Sequence, residues 1–233
     1  MEIQITQDLV QKKSITPNDA GCLQYIEDFL TQRGLINETL TFGRVKNLWS
    51  VKRNNGPLLV FLGHVDVVPT GPENEWEHDP FSGYDDGTFI NGRGTGDMKG
   101  GIACFMSALS RIDLDSLNYS IGFIITADEE GPSKDGTVKV VEELLHRNEK
   151  IDYCLIGEPS TLETVGDNIR IGRRGSINIE LEVLGKQGHA AYPARVDNPI
   201  HKVVPFLDKL LKEVWDEGNE HFPPPSLQLT NIT

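Results

Sequence analysis

The chain has 233 residues, 38% of them hydrophobic and 24% charged, which is typical of one large globular domain or two smaller ones. Its net charge of −13 argues against nucleic acids and anionic membranes as partners, because both are bound through clustered Lys and Arg. No apolar run is long enough to cross a bilayer, and the N-terminus lacks the pattern of a signal peptide. Cys22, Cys104 and Cys154 are widely spaced and predict buried free thiols in a reducing compartment, so we expect a soluble cytoplasmic protein.

The first part of the chain alternates helix and strand patterns. Thr16 and Pro17 predict the cap and first residue of a helix, and Gly34 predicts its end. Three nearly continuous apolar runs predict strands buried on both faces: 58–62, 121–126 and 153–156. Three apolar stripes predict helices: Leu23, Ile26, Phe29 and Leu30; Ile102, Phe105, Met106 and Leu109; and Val140, Val141, Leu144 and Leu145. Strands that alternate with helices predict an α/β domain.

The pattern changes after Gly175. Residues 177–183 alternate between apolar and polar, which predicts a strand with one exposed face, as in an antiparallel sheet. Asn198 and Pro199 then predict the start of an amphipathic helix, and another alternating run begins at Leu227. We therefore predict the start of a second, smaller α+β domain. The two predicted domains are residues 1–175 and 176–233.

Each of the three apolar runs is followed by residues that commonly bind metals. They are His64 and Asp66 after the first run, Glu129 and Glu130 after the second, and Glu158 after the third. Ligands of open α/β sheets bind outside the carboxyl ends of the strands, so these positions predict a site. Taken singly, such a histidine is more often a packed structural residue, and a glutamate pair is as often an exposed acidic turn.

Asp97 lies in a glycine-rich turn just before a predicted helix, where it is either a cap or a further ligand. The spacing of a phosphate-binding loop is absent. Imidazole and carboxylate ligands suit zinc, and a carboxylate such as Asp66 can orient the second nitrogen of a ligating histidine. Of two adjacent glutamates, one can hold a metal while the other moves protons. Together these residues predict metal-assisted hydrolysis.

Two further features follow near the predicted domain boundary. Arg173 and Arg174 could bind a substrate carboxylate or form a salt-bridged hinge. His189 lies in a glycine-flanked loop, where it could donate a hydrogen bond to a developing oxyanion or be an ordinary surface residue.

These residues together resemble the zinc aminoacylase/carboxypeptidase family of co-catalytic metallohydrolases. The motifs that carry the resemblance are residues 63–72, 128–132, 135–137, 157–160, 173–176 and 187–189. The resemblance implies a zinc-peptidase-like catalytic domain with a mixed sheet between helices, followed by a ferredoxin-like lid and dimerisation domain. It also implies two Zn²⁺ ions, for which Co²⁺ can substitute, and a homodimer of the full-length protein.

The resemblance assigns roles to individual residues of this chain. His64 and Glu158 would hold the first zinc and Glu130 the second, while Asp97 would bridge the two ions. Asp66 would orient His64, and the peptide between Asp97 and Met98 would be cis.

Other roles concern the reaction itself. Glu129 would act as the general base on the attacking water, and His189 would reach across the dimer to the scissile carbonyl. The remaining residues that match positions around the substrate are Arg173, Ser176 and Tyr192.

The motifs at 130–137 and 172–176 favour the family branch that removes succinate from N-succinyl-LL-2,6-diaminopimelate, a step in lysine and cell-wall precursor synthesis. An acetylornithine deacetylase or a dipeptidase of the same family is the alternative. A non-catalytic metal-binding or interaction module is a third possibility, against which Glu129 argues, because metal binding alone needs no general base.

The chain departs from the family pattern in one respect. The family has a further histidine ligand near the C-terminus of the full-length protein, and neither His201 nor His221 matches that motif. We therefore expect a partial chain whose catalytic domain lacks its C-terminal return segment. Such a chain would hold one zinc better than two, have little activity and leave strand edges of a half-built lid unpaired.

Overall fold

The computed structural model describes residues 1–173 and 175–232. It divides the chain into two compact units, Met1–Asn168 and Ile169–Thr233. The prediction for Arg174 lies outside the described residues. The assignment of a catalytic and a lid role to the two parts of the chain stays a prediction.

A mixed five-stranded sheet forms the centre of the first unit. Its strands and those of a short hairpin are β1 (Ile36–Phe42), β2 (Val45–Lys52), β3 (Leu58–His64), β4 (Tyr84–Asp85), β5 (Ile90–Asn91), β6 (Ser120–Thr126) and β7 (Tyr153–Ile156). The order in the large sheet is β1-β2-β6-β3-β7, while β4 and β5 pair separately. Strands β6, β3 and β7 run parallel, and β1 and β2 are antiparallel to their neighbours. The α/β class and the three predicted strands are thus confirmed.

Helices cover both faces of this sheet. They are α1 (Glu2–Val10), α2 (Cys22–Gln32), α3 (Gly100–Leu109) and α4 (Thr137–His146). The first three share one apolar core with the sheet, where the rings of Phe61 and Phe105 stack with centroids 4.2 Å apart. Helix α4 packs Val140 and Leu144 into a second core on the other face. The predicted arrangement of a sheet between helices is therefore correct.

Several predictions about individual elements were wrong. The helix expected at Pro17 begins only at Cys22, because the backbone N–H of Thr16 donates to the Val67 carbonyl (3.0 Å) and residues 14–16 run beside the end of β3. The strand β7 is exposed at all four positions, because it lies at the edge of the described sheet. Cys104 and Cys154 are exposed, and Cys22 alone of the three thiols is buried. Helix α1 and the β1–β2 hairpin were not anticipated.

The second unit has much less regular structure. Helix α5 (Pro199–Lys212) begins where predicted, and the Asn198 side chain accepts a hydrogen bond from the Ile200 N–H at 2.9 Å. The strands predicted at 177–183 and at Leu227 do not form, and the one bridge in the described part of this unit joins Lys186 and Asp197. An alternating pattern becomes a strand only where another strand pairs with it, and these runs have no such partner among the described residues. Over the described ranges, no helix is long and apolar enough to cross a membrane.

Two adjacent leucines of α4 allow a test of how this helix packs against the sheet. Leu144 is 1% exposed and Leu145 is 64% exposed, contrary to the prediction that both face the core. We expect Leu144→Ala to lower the free energy of unfolding by about 2–5 kcal/mol, because it leaves a cavity. The control Leu145→Ala should change the same quantity by no more than about 0.5 kcal/mol. Urea unfolding followed by circular dichroism measures both, and equal losses would contradict the assignment of the buried face.

Candidate metal centre

The parallel strands bring the predicted ligands to one edge of the sheet. His64 is the last residue of β3 and pairs with Thr126 at the end of β6, shortly before Glu129 and Glu130. On the other side of β3, Leu62 pairs with Ile156 at the end of β7, two residues before Glu158. The carboxyl ends of three neighbouring strands therefore deliver one histidine and three glutamates to the same place.

The side chains converge on one nitrogen of His64. Its Nε2 lies 2.9 Å from Asp97 Oδ1, 3.4 Å from Glu158 Oε1 and 3.8 Å from Glu129 Oε2. Two groups of three ligand atoms are close enough together to hold an ion, and His64 belongs to both. One group adds Asp97 and Glu130, and the other adds Glu129 and Glu158. The structure thus brings together all the predicted metal ligands and the predicted base.

Burial differs sharply across this cluster. The His64 side chain is 2% exposed, whereas those of Asp97 and Glu129 are about half exposed. The imidazole therefore lies at the bottom of a site whose carboxylates border solvent. Such a site shields its histidine from solvent and is open where a small molecule or water would enter.

Asp66 holds the cluster in a way that the sequence did not predict. His64 Nδ1 lies 2.9 Å from the Asp66 backbone carbonyl and 3.6 Å from its carboxylate. The carboxylate instead accepts the backbone N–H groups of Glu129 and Glu130 at 3.0–3.2 Å. One buried residue thus fixes both the imidazole and the loop that carries the two glutamates.

The donor set fits a bound cation. Because a carbonyl oxygen only accepts hydrogen bonds, the contact with Asp66 places a proton on Nδ1 of His64. A neutral imidazole would then direct its Nε2 lone pair at the oxygens of Asp97 and Glu158. That arrangement is repulsive unless a proton or a metal ion lies between these atoms. The residues present therefore suit a divalent metal.

The pKa shifts show the same excess of negative charge. Burial disfavours the charged form of His64, but hydrogen bonds with Asp66 and Glu158 outweigh it and raise the pKa of His64 to about 11. Burial raises the pKa of Glu130, and the nearby charge of Asp97 adds to the increase. Burial also raises the pKa of Glu129, although His64 partly opposes this shift. A divalent cation at this position would supply the missing positive charge.

Three more residues shape the site and were given no role from the sequence. The buried carboxylate of Asp128 accepts the backbone N–H groups of residues 133–135 at 2.9–3.3 Å and closes the loop that follows Glu130. Lys99 is fully buried, and its Nζ donates to the Leu9 and Lys12 carbonyls at 2.9 and 3.0 Å. Met98 lies under His64. All three lie within two residues of a predicted ligand in sequence, which was the available signal.

The peptide bond between Asp97 and Met98 is cis, as the resemblance implied. The non-helical backbone at these two residues interrupts the turn that precedes α3. The Asp97 side chain is about half exposed, while Met98 is buried.

The remaining predicted residues belong to the second unit. Arg173, Ser176, His189 and Tyr192 are all exposed there. The rings of His189 and Tyr192 lie 5.7 Å apart, and the Arg195 guanidinium lies 5.5 Å from the Tyr192 ring. His189 Nδ1 accepts the Ala191 N–H at 3.1 Å. Their roles at a substrate stay predictions.

Comparison with solved structures supports the fold. Human carnosine dipeptidase 1 matches with a TM-score of 0.60 and 21% identity, over 66% of this chain and 37% of that protein. An M20 family metallo-carboxypeptidase, Sso-CP2 from Sulfolobus solfataricus, matches with a TM-score of 0.60 and 21% identity, over 67% of this chain and 37% of that one. At this identity the likeness concerns the fold alone.

Sequence comparison is more specific. The succinyl-diaminopimelate desuccinylase of Hydrogenovibrio crunogenus is 52% identical over 233 residues, which is 99% of this chain and 62% of that protein. The enzyme of the same name from Marinobacter nauticus is 50% identical over 232 residues, again 99% of this chain and 62% of the relative. The chain thus spans 62% of the length of these curated relatives. A sequence model of the peptidase family M20/M25/M40 matches residues 60–230, and the chain therefore belongs to that family.

Proposed function

We propose that this chain carries the metal centre of an amide hydrolase that removes succinate from N-succinyl-LL-2,6-diaminopimelate. The observation that carries the proposal is the convergence of acidic side chains on Nε2 of the buried His64. The names of relatives that are 50% and 52% identical support the choice of substrate. Because these relatives are longer than this chain, the activity of the whole protein is part of the proposal.

We propose Zn²⁺ as the metal, with Co²⁺ as a substitute, since imidazole and carboxylate ligands suit both. His64 and Glu158 would hold one ion, Glu130 would hold a second, and Asp97 would bridge them. A bound zinc ion supplies Lewis acidity that polarises an amide carbonyl and makes water more acidic. The two donor groups share His64, which favours one strongly held ion over two.

The protein residues would carry the proton transfers. The Glu129 side chain is half exposed, and its Oε2 lies 3.8 Å from His64 Nε2, so its carboxylate is near the proposed metal and accessible to water. In the proposed reaction Glu129 takes a proton from the attacking water as the oxygen bonds to the amide carbon. It then returns the proton to the nitrogen as the C–N bond breaks, which releases succinate and the free amine.

The second unit would contribute to substrate binding. The carboxylates of the substrate require cationic partners, and we propose Arg173 as one, with Ser176 and Tyr192 nearby. We propose that His189 donates a hydrogen bond to the scissile carbonyl across a homodimer of the full-length protein. A cytoplasmic location would suit this biosynthetic role.

The metal proposal predicts a graded response to ligand removal. We expect His64→Asn to abolish tight Zn²⁺ binding, because His64 belongs to both donor groups. Glu158→Gln and Glu130→Gln should each weaken it less, since each removes a ligand from one group. Calorimetric titration with Zn²⁺ measures these affinities, with Glu142→Gln on the exposed face of α4 as the control. Wild-type affinity in His64→Asn would exclude the site.

Glu129→Gln separates a base from a ligand, since Glu129 also lies within one donor group. If Glu129 is the base, we expect unchanged Zn²⁺ content and succinate release that is slower by about 100-fold or more. Elemental analysis and a succinate assay measure the two quantities, again with Glu142→Gln as the control. Loss of Zn²⁺ together with activity would instead make Glu129 a ligand.

Substrate choice is tested with three amides that share the same chemistry. We expect succinate release from succinyl-diaminopimelate to exceed acetate release from acetylornithine and cleavage of a dipeptide. The Hydrogenovibrio crunogenus relative is the positive control, and we expect the 233-residue chain to turn over more slowly than that protein. Turnover by this chain at the rate of the relative would refute the expectation of an incomplete second metal site. Preference for either other amide would overturn the proposed substrate. Zn²⁺ binding without any hydrolysis by the full-length protein would favour a non-catalytic module.

A further inference from the structure

Met98 touches the backbone of His64 directly. It is 1% exposed, and its sulfur accepts the His64 backbone N–H at 3.3 Å. Strand β7 pairs only with residues 59–62 of β3, so this N–H lies beyond the last ladder pair on that side. A buried backbone donor without an acceptor is costly, and the thioether is a weak acceptor that fills this place.

The terminal methyl group of Met98 reaches two more points of the site. A Cβ atom added to Gly63 would lie 2.8 Å from Met98 Cε, and one added to Gly157 would lie 2.7 Å from it. These glycines immediately precede His64 and Glu158, so the methyl packs against the backbone in front of both ligands. Met98 also follows Asp97 directly. One side chain therefore contacts or adjoins three backbone segments that carry proposed ligands.

We infer that Met98 is a positioning residue that sets the spacing between the backbones of His64, Asp97 and Glu158. This inference rests on the proposed metal centre. An unbranched thioether can occupy the narrow space between Gly63 and Gly157 and still present its sulfur to the His64 N–H. Leucine has a similar volume, but it has no acceptor atom and its branched end is shorter.

The chain contains a matched control for ordinary core packing. Met106, in the middle of α3, is also fully buried and belongs to the same apolar core as Met98. Replacing either methionine by leucine conserves volume. We therefore expect Met106→Leu to lower the urea midpoint of the metal-free chain by a small amount. Met98→Leu should lower it further, because it also leaves the buried His64 N–H without its acceptor.

Metal binding should distinguish the two variants. We expect Met98→Leu to raise the Zn²⁺ dissociation constant about 10-fold or more, as is usual when the support of metal ligands is altered. Its Co²⁺ complex should show a changed visible absorption spectrum, because the ligands are spaced differently. Met106→Leu should match the wild type in both measurements. Competition with a chromophoric chelator gives the affinities.

The binding measurements distinguish a wrong positioning role for Met98 from a wrong metal centre. If wild type and both variants bind Zn²⁺ equally and share one Co²⁺ spectrum, the positioning role is wrong while the metal centre stands. If the wild-type chain binds no Zn²⁺, the metal centre fails and the positioning role fails with it.

A second substitution at position 98 tests the same role if Met98→Leu does not fold. The chain has three methionines, at positions 1, 98 and 106, so norleucine incorporated into a Met106→Leu background alters only Met98 within the core. Norleucine keeps the unbranched shape and removes the sulfur acceptor. We expect weaker Zn²⁺ binding than in Met106→Leu containing methionine, and equal binding would overturn the positioning role.

Discussion

The carboxylates around His64 repel one another, and the surrounding structure must compensate for this repulsion. Asp97, Glu129, Glu130 and Glu158 approach one imidazole ring, and burial raises the pKa of both central glutamates. Like charges at such distances destabilise a folded chain unless other groups compensate. Much of that compensation comes from the backbone: hydrogen bonds to the main chain hold the glutamate loop. The carboxylate oxygens are thus held near one another, as a cation site requires.

Two buried aspartates and one buried lysine supply this framework. Asp66 fixes the backbone of Glu129 and Glu130, and Asp128 accepts three N–H groups from the following turn. Lys99 ties the turn after Asp97 to the C-terminal end of α1 through two carbonyls. Ser14 adds a hydrogen bond to the Val65 carbonyl at 2.6 Å. The N-terminal segment, which carries none of the proposed chemistry, is therefore part of the support of the site.

The predictions from sequence were most accurate for strands and site residues that depend on local patterns. Strands β3 and β6 are buried on both faces, which gives nearly continuous apolar runs, and the proposed ligands follow directly from the ends of those strands. The same pattern wrongly predicted that β7 is buried on both faces, because an apolar run does not reveal that its strand lies at a sheet edge. The strand at 177–183 failed for a related reason, since alternation predicts a face but not a pairing partner. The contacts of Asp66 with Glu129 and of Lys99 with Leu9 join residues far apart in sequence, so no local pattern could predict them.

Because His64 belongs to both donor groups, the two groups cannot each hold an ion through it at the same time. With Nδ1 directed at the Asp66 carbonyl, the imidazole has one lone pair, at Nε2, and can bind only one ion at a time. An ion held by His64 and Glu158 leaves Asp97 and Glu130 as the protein ligands for a second. Two carboxylates provide charge but no neutral nitrogen donor, and they leave most of the coordination of a zinc ion to water. His64, Asp97, Glu130 and Glu158 would therefore hold one metal firmly, and a second ion of comparable affinity would require a ligand in addition to these four.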